Sequence, residues 1–218
     1  MSDLYPENHL FWGSRSPLST LIGTGLIIMA SSRSAFAMIT LGALVWVYAL
    51  TALTFRLASP VLLKRGKDLT AAAISTFFGG VYYTVFCIIS PFLAIETSLF
   101  IIMAPVCCIS TGTILRVETM SPKNALIQAA SEALTLGAFI LAFALVREPL
   151  GFGSLSLPGG LRGMVEIFDN GEDSLFPIQI IGSSAGAFMI FGYVLAMYRL
   201  EKKRQFHMES GEKNQETP

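Results

Sequence analysis

Two adjacent thiols, Cys107 and Cys108, sit between Pro105 and the run Ser110-Thr111-Gly112-Thr113, inside a long apolar stretch. A proline removes a helix hydrogen bond, so the helix is expected to break at Pro105 and again after the cysteines. An unwound turn there would let thiolates face a metal ion instead of packing. Two neighbouring cysteines are not a ligand set by themselves, because iron–sulfur clusters mostly take four thiolate-type ligands. The chain has no C-x-x-C pair, so a cluster would need ligands from another subunit. Cys87 reads as a small core hydrophobe, and an odd number of thiols in apolar runs is no disulfide framework. His9 and His207 fall in polar tails, which excludes a histidine-ligated haem within the chain.

Glu132 is the second candidate. It lies eight residues after Asn124, about 12 Å into a helix. A carboxylate at that depth is costly unless it is protonated, paired or wet, so Glu132 is read as an ion or proton relay. The alternative is a helix that starts later and leaves Glu132 among the headgroups. Glu96 reads as interfacial, Arg56 as snorkelling, and Arg147-Glu148 as closing the fifth helix at the far interface. No phosphate-binding glycine loop, H-E-x-x-H or G-x-S-x-G pattern occurs. Tyr82-Tyr83 and Trp46-Val47-Tyr48 are explained by packing or interfacial anchoring.

The elements that carry these residues follow from composition. Of 218 residues, 53% are apolar and 14% charged, and the mean hydropathy is +0.61. These values exclude an ordinary soluble domain. Fifteen basic residues cancel fifteen acidic ones, so no overall field points to nucleic acid. Six hydrophobic segments are predicted, over 17–31, 34–58, 69–90, 92–115, 124–146 and 176–200. The domain organisation is a cytoplasmic N-terminal segment over 1–16, a membrane domain over 17–200 and a disordered cytoplasmic tail over 201–218. Residues 1–16 lack the features of a cleaved signal, so the first helix is expected to be retained. The connection 147–175, rich in glycine and proline, is expected to be an interfacial loop with one short helix and an acidic run from Asp169 to Asp173. Six crossings place 12 Lys and Arg on the side of the termini and 3 on the other, which puts both termini in the cytoplasm by the positive-inside rule.

The first segment is too short to span, contains Gly23 and Gly25, and shares its irregularity with the fourth. An offset of 83 carries Gly25 to Cys108 and Lys64 to Arg147. The predicted fold is therefore all-α and transmembrane, six helices forming two inverted-topology repeats of three with helices 1 and 4 short or broken. Glycine and proline are also common in transmembrane helices, which is the plainer explanation of the same pattern.

Val146-Arg147-Glu148-Pro149-Leu150-Gly151-Phe152-Gly153-Ser154-Leu155 resembles the arginine-glutamate, glycine-x-glycine segment of the Rnf/Nqr family of six-helix membrane subunits, RnfE or NqrD type. Supporting stretches are Ser16 to Gly23, Cys108 to Gly112 and Gly186-Ala187-Phe188, and the resemblance covers most of the chain. It implies a subunit of an ion-translocating NADH:ferredoxin or NADH:quinone oxidoreductase in a bacterial plasma membrane. The implied partners are a homologous six-helix subunit, an FMN-bearing subunit and an NADH- or ferredoxin-reactive subunit. It also implies a 2Fe–2S cluster held between two such subunits, one cysteine coming from each broken helix. Cys108 stands at the fourth-helix position, whereas Gly25 stands at the first and cannot ligate. Thr113 replaces the family's arginine after Gly112, and Gln128 stands where the family has a helix 5 aspartate. Cys107 as a substitute ligand, a partner supplying three ligands, and loss of the cluster all remain open.

The expected function is a membrane-embedded subunit, without a catalytic centre of its own, of a complex coupling redox chemistry to Na⁺ or H⁺ movement. Cys108 and Cys107 are the candidate metal ligands and Glu132 the relay, while Gly25, Arg147, Glu148, Gly151 and Gly153 form the structural motif. The alternatives are a small secondary transporter with the same inverted repeats and a cofactor-free structural subunit.

Overall fold

The computed structural model describes residues 21–59, 66–118, 120–160, 163–169, 179–194, 196–197 and 200. The two tails, Lys64, Arg65, Arg162 and the acidic run beyond Asp169 lie outside the described residues. Helices α1 (Leu21–Ala30), α2 (Ser34–Ala58), α3 (Lys67–Ile89), α4 (Pro91–Ser110), α5 (Thr113–Val117) and α6 (Pro122–Phe152) precede a β-hairpin, β1 (Ser154–Pro158) and β2 (Met164–Asp169). Helix α7 (Gln179–Gly182) follows, and after a bend at Ser183 a helical run covers Ser184–Val194.

Four of these helices, α2, α3, α4 and α6, are long and apolar enough to cross a membrane, and the chain is a multi-pass membrane protein. The distribution of side chains agrees with lipid as the solvent. On α4, Phe92, Ile95, Leu99 and Ile102 are exposed at helical spacing, while Leu93, Thr97, Ile101, Ala104 and both cysteines are buried. Apart from Glu96 and Ser110 the outer stripe is apolar, and the Thr97 hydroxyl and both thiols point inward. Helix α2 is the central element, packing most extensively along α6 and also against α3 and α4.

Among the described residues the element order has seven helices where six were expected across the chain. Helix α1 has ten residues, about 15 Å. The expected break at Pro105 does not occur, because Pro105 stays inside α4 with its ring seated against Gly79 of α3. The second break, expected after the cysteines, does occur: the chain turns at Gly112, whose φ of 66° is a left-handed conformation that favours glycine, and restarts as α5. Pro122, at the start of α6, follows Ser121, whose hydroxyl accepts from the Asn124 N–H at 3.4 Å. Helix α6 does not stop at Val146 but runs through Arg147, Glu148 and Pro149 to Phe152, and Gly153 ends it at φ 67°.

The connection expected to be a loop with a short helix is an antiparallel hairpin with Ser154 facing Asp169 and Pro158 facing Met164. Its alternation Ser-Leu-Ser-Leu is a two-residue period, which glycine and proline content had obscured. The last expected segment is interrupted at Ser183, and Phe191 of the run that follows packs edge-on against Phe139 and Phe143 of α6 at 6.2 and 6.3 Å.

Hydrogen bonds define the two ends of the bundle. At one end, the Ser34 hydroxyl donates to Ser156 O, the Ser90 hydroxyl to Gly160 O, and Arg33 pairs with Glu166 at 3.1 Å. The hairpin therefore lies over the α1–α2 and α3–α4 junctions. At the opposite end Arg56 donates to Met120 O at 2.6 Å and Lys67 pairs with Glu118.

Candidate functional site

Helix α6 carries two buried carboxylates, Glu132 and Glu148, 3% and 0% exposed. They are sixteen residues apart, about 24 Å along the axis. Each meets the beginning of a helix that follows an interruption, and each interruption also has an arginine on the carbonyls of the preceding helix.

The first cluster gathers at the α4–α5 turn. Glu132 lies ten residues inside α6, a full helical environment, so the alternative of a late-starting helix is set aside. Its Oε2 accepts from the Thr113 hydroxyl at 2.6 Å and from Arg116 at 3.0 Å, and its Oε1 accepts from the Gln128 amide at 2.8 Å. Arg116 also donates to Thr111 O at 3.1 Å, near the carbonyl end of α4. Positive charge is favoured there because the last carbonyls of a helix have no intrahelical partner.

Proton directions in this cluster follow from donor count. Thr113 has one O–H and gives it to Glu132, so it accepts from Thr111 Oγ1 at 2.7 Å. The Thr111 proton is shared with Cys108 O at 3.1 Å, which leaves the buried Tyr48 hydroxyl to donate to Thr111 Oγ1 across 3.5 Å. The result is a line of hydroxyls from α2 to the α6 carboxylate, Tyr48, Thr111, Thr113 and Glu132. Such a line can pass a proton, and the ion pair with two further donors satisfies the carboxylate within the apolar bundle.

Cys107 and Cys108 occupy the last turn of α4 beside this cluster and are 0% and 1% exposed. Cys87 is half-buried on α3. Among the described residues, no three His, Cys, Asp or Glu side chains form a metal-holding group. A cluster shared with a partner would require the last turn of α4 to open and expose a thiol. Gly25 lies on α1, which packs against α4, and a β-carbon built on it meets nothing within 4 Å.

The second cluster gathers at the opposite end, around the two residues expected to close the fifth helix at the interface. Arg147 is instead 2% exposed and spends all five of its N–H groups inside the protein. It donates to Ile28 O at 2.9 Å and Ser31 Oγ at 3.2 Å at the end of α1. It donates also to Ile181, Gly182 and Ser183 carbonyls at 3.0, 2.7 and 2.9 Å at the end of α7. One guanidinium thus closes two interrupted helices, as its planar fork permits and a lysine could not. Glu148 Oε2 accepts from the Ser34 N–H at 2.7 Å and so caps the N-terminus of α2. Gly151 is required by packing, since a β-carbon there would stand 2.6 Å from Gly182 N. Gly153 supplies the left-handed stop that turns the chain into the hairpin.

Sequence reasoning missed Tyr48, read as packing, and Arg116, read as a loop charge. The available signal was a hydroxyl pair flanking Gly112 with an arginine one turn beyond it. No protein-family model matches the chain, and no curated protein matches it.

Proposed function

We propose that this chain is a membrane-embedded subunit of an Rnf/Nqr-like electron-transport complex that couples redox chemistry to Na⁺ or H⁺ movement, without a catalytic centre of its own. The observation that carries the reading is the pair of buried α6 carboxylates, each placed where one helix stops and another starts, near opposite ends of the bundle. Interrupted helices with ionisable side chains at the interruption are the usual construction of an ion path through a bilayer, and inverted repeats generate two of them. In this reading residues 17–200 form two inverted units, the hairpin end faces outward, the termini are cytoplasmic, and the membrane is a bacterial plasma membrane. The positive-inside distribution and the Arg147 to Gly153 motif support it.

Within the complex, Glu132 with Thr113, Thr111 and Tyr48 is the relay, and Arg116 pairs with the carboxylate and positions it. Partners are the homologous six-helix subunit, an FMN-bearing subunit and a subunit reactive with NADH or ferredoxin. If a shared 2Fe–2S cluster is present, Cys108, with Cys107 next to it, is this chain's ligand.

The test is purification of the tagged chain in mild detergent, followed by identification of accompanying subunits and assay of iron and acid-labile sulfide for wild type and Cys108→Ala. Flavoprotein partners together with redox-driven ion uptake that Glu132→Gln abolishes support the proposal. Iron that falls with Cys108→Ala adds the cluster, whereas an iron-free complex leaves an ion-conducting subunit. Absence of redox partners, with solute uptake by the chain alone in liposomes, overturns it in favour of a secondary transporter.

A further inference from the structure

Glu148 differs from Glu132 in one respect. Glu132 has a donor on each oxygen and an arginine beside it, whereas Glu148 Oε1 is buried with no hydrogen-bond partner among the described residues. Its Oε2 has a single backbone donor, Ser34 N–H. No ion pair to Glu148 exists among the described residues.

The charged groups on the packed elements account for themselves elsewhere. Arg147, the next residue of α6, has committed all five N–H groups to carbonyl and hydroxyl oxygens of α1 and α7. Arg33, before α2, pairs with Glu166 of β2 and lies over the Phe152 ring at 5.5 Å. Helices α1 and α7 and strand β1 carry no charged residue. A buried carboxylate with one neutral donor is costly, and the cost is removed by a positive charge on the open oxygen. The surroundings limit which charge. Buried Ser34 and Ser156 bring oxygen atoms to the same junction, a hard donor set, and a single carboxylate balances one unit of charge.

We infer that Glu148 is a monovalent-cation site at the hairpin end of the bundle, with Oε1 taking a proton or Na⁺ beneath strand β1. The β1–α2 contact through Ser34 and Ser156 covers the site, so exchange requires the hairpin to lift from the α2 N-terminus. The inference deepens the ion-translocating reading by naming a second station on α6. Binding at Glu148 does not depend on that reading.

The experiment uses the detergent-purified protein with whatever subunits accompany it. Dicyclohexylcarbodiimide modifies protonated carboxyls in apolar surroundings, and digestion with mass spectrometry reads the adduct on the Glu148 peptide. At mildly acidic pH without Na⁺, Glu148 is expected to be modified. Na⁺ at about ten times its Kd should cut the modification about tenfold, with choline inert, if the site takes the metal ion. Loss of modification on raising pH, with Na⁺ inert, identifies the proton. A second readout is the melting temperature in a Glu132→Gln background, which removes the relay carboxylate: the bound cation should raise it there and leave it unchanged once Glu148→Gln is added. Modification of the Glu148 peptide and melting that ignore both Na⁺ and pH, or a cation response in the Glu132→Gln background that survives addition of Glu148→Gln, overturn the inference. Either result is obtained whether or not redox subunits co-purify, so it fails separately from the proposed function.

Discussion

Replacing Arg147 by lysine keeps the positive charge and removes the fork. Arg147 has two acceptors at the end of α1 and three at the end of α7, at 2.7 to 3.2 Å. An ammonium has three donors at one point, so at least two of these acceptors are abandoned. Each buried acceptor left open costs ~1–3 kcal/mol, giving ~2–6 kcal/mol before relaxation, and about 3 kcal/mol once second lone pairs and side-chain repacking are allowed for. The control is Arg33→Lys, because Arg33 has a side chain 30% exposed and one ion pair, worth at most ~1 kcal/mol. The assay is reversible unfolding in mixed micelles followed by far-UV circular dichroism, with hydrogen exchange mapped on peptides. Arg147→Lys should lose about 3 kcal/mol, and exchange should rise at 27–33 and 180–184 while α3 and the start of α4 stay protected. A loss within about 1 kcal/mol of the Arg33→Lys control, or protection lost uniformly, would refute the idea that one side chain closes both interrupted helices.

Substitutions at Gly79 and Gly112, with one rescue and one control, probe the packing that sets the breaks. A β-carbon at Gly79 would lie 2.6 Å from Pro105 Cγ, a ring held by its own backbone. Gly79→Ala should therefore cost ~1–3 kcal/mol, and Pro105→Ala in the same chain should recover most of it, whereas Gly80→Ala, with nothing within 4 Å, should be neutral. Gly112 has φ 66°, so Gly112→Ala should lose ~1–2 kcal/mol through the left-handed conformation. The same mixed-micelle unfolding measures both, and an unchanged Gly112→Ala protein would mean that the α4–α5 turn adapts.

The membrane class was legible because it depends on sums over windows of about twenty residues, which no tertiary contact alters. Four of the six apolar segments each overlap one helix, α1, α2, α3 or α6, and the fourth and the sixth each overlap helix in two pieces among the described residues. The break after the cysteines was legible in Ser110-Thr111-Gly112-Thr113, whereas the fate of the prolines was not. Proline at 105 and proline at 149 look alike in sequence to a proline that stops a helix, yet both are absorbed, the first because Gly79 makes room for the ring. The stop at Gly112 needed the backbone to enter a left-handed conformation, which glycine permits and does not require.

The residues of the candidate site divide in the same way. Glu132 was found from its depth in an apolar run, since a buried charge is expensive in any fold. Its partners Thr113, Arg116 and Gln128, and Tyr48 at the far end of the hydroxyl line, come from three helices and meet only when α2, α5 and α6 pack. Arg147 and Glu148 were placed at an interface on sequence grounds, and the fold buries both. Composition and periodicity determine which segments leave water, because that free energy is additive along the chain. Which buried charges find partners, and which one is left with an open oxygen, is a property of hydrogen-bond directions between distant residues, and only the tertiary structure decides it.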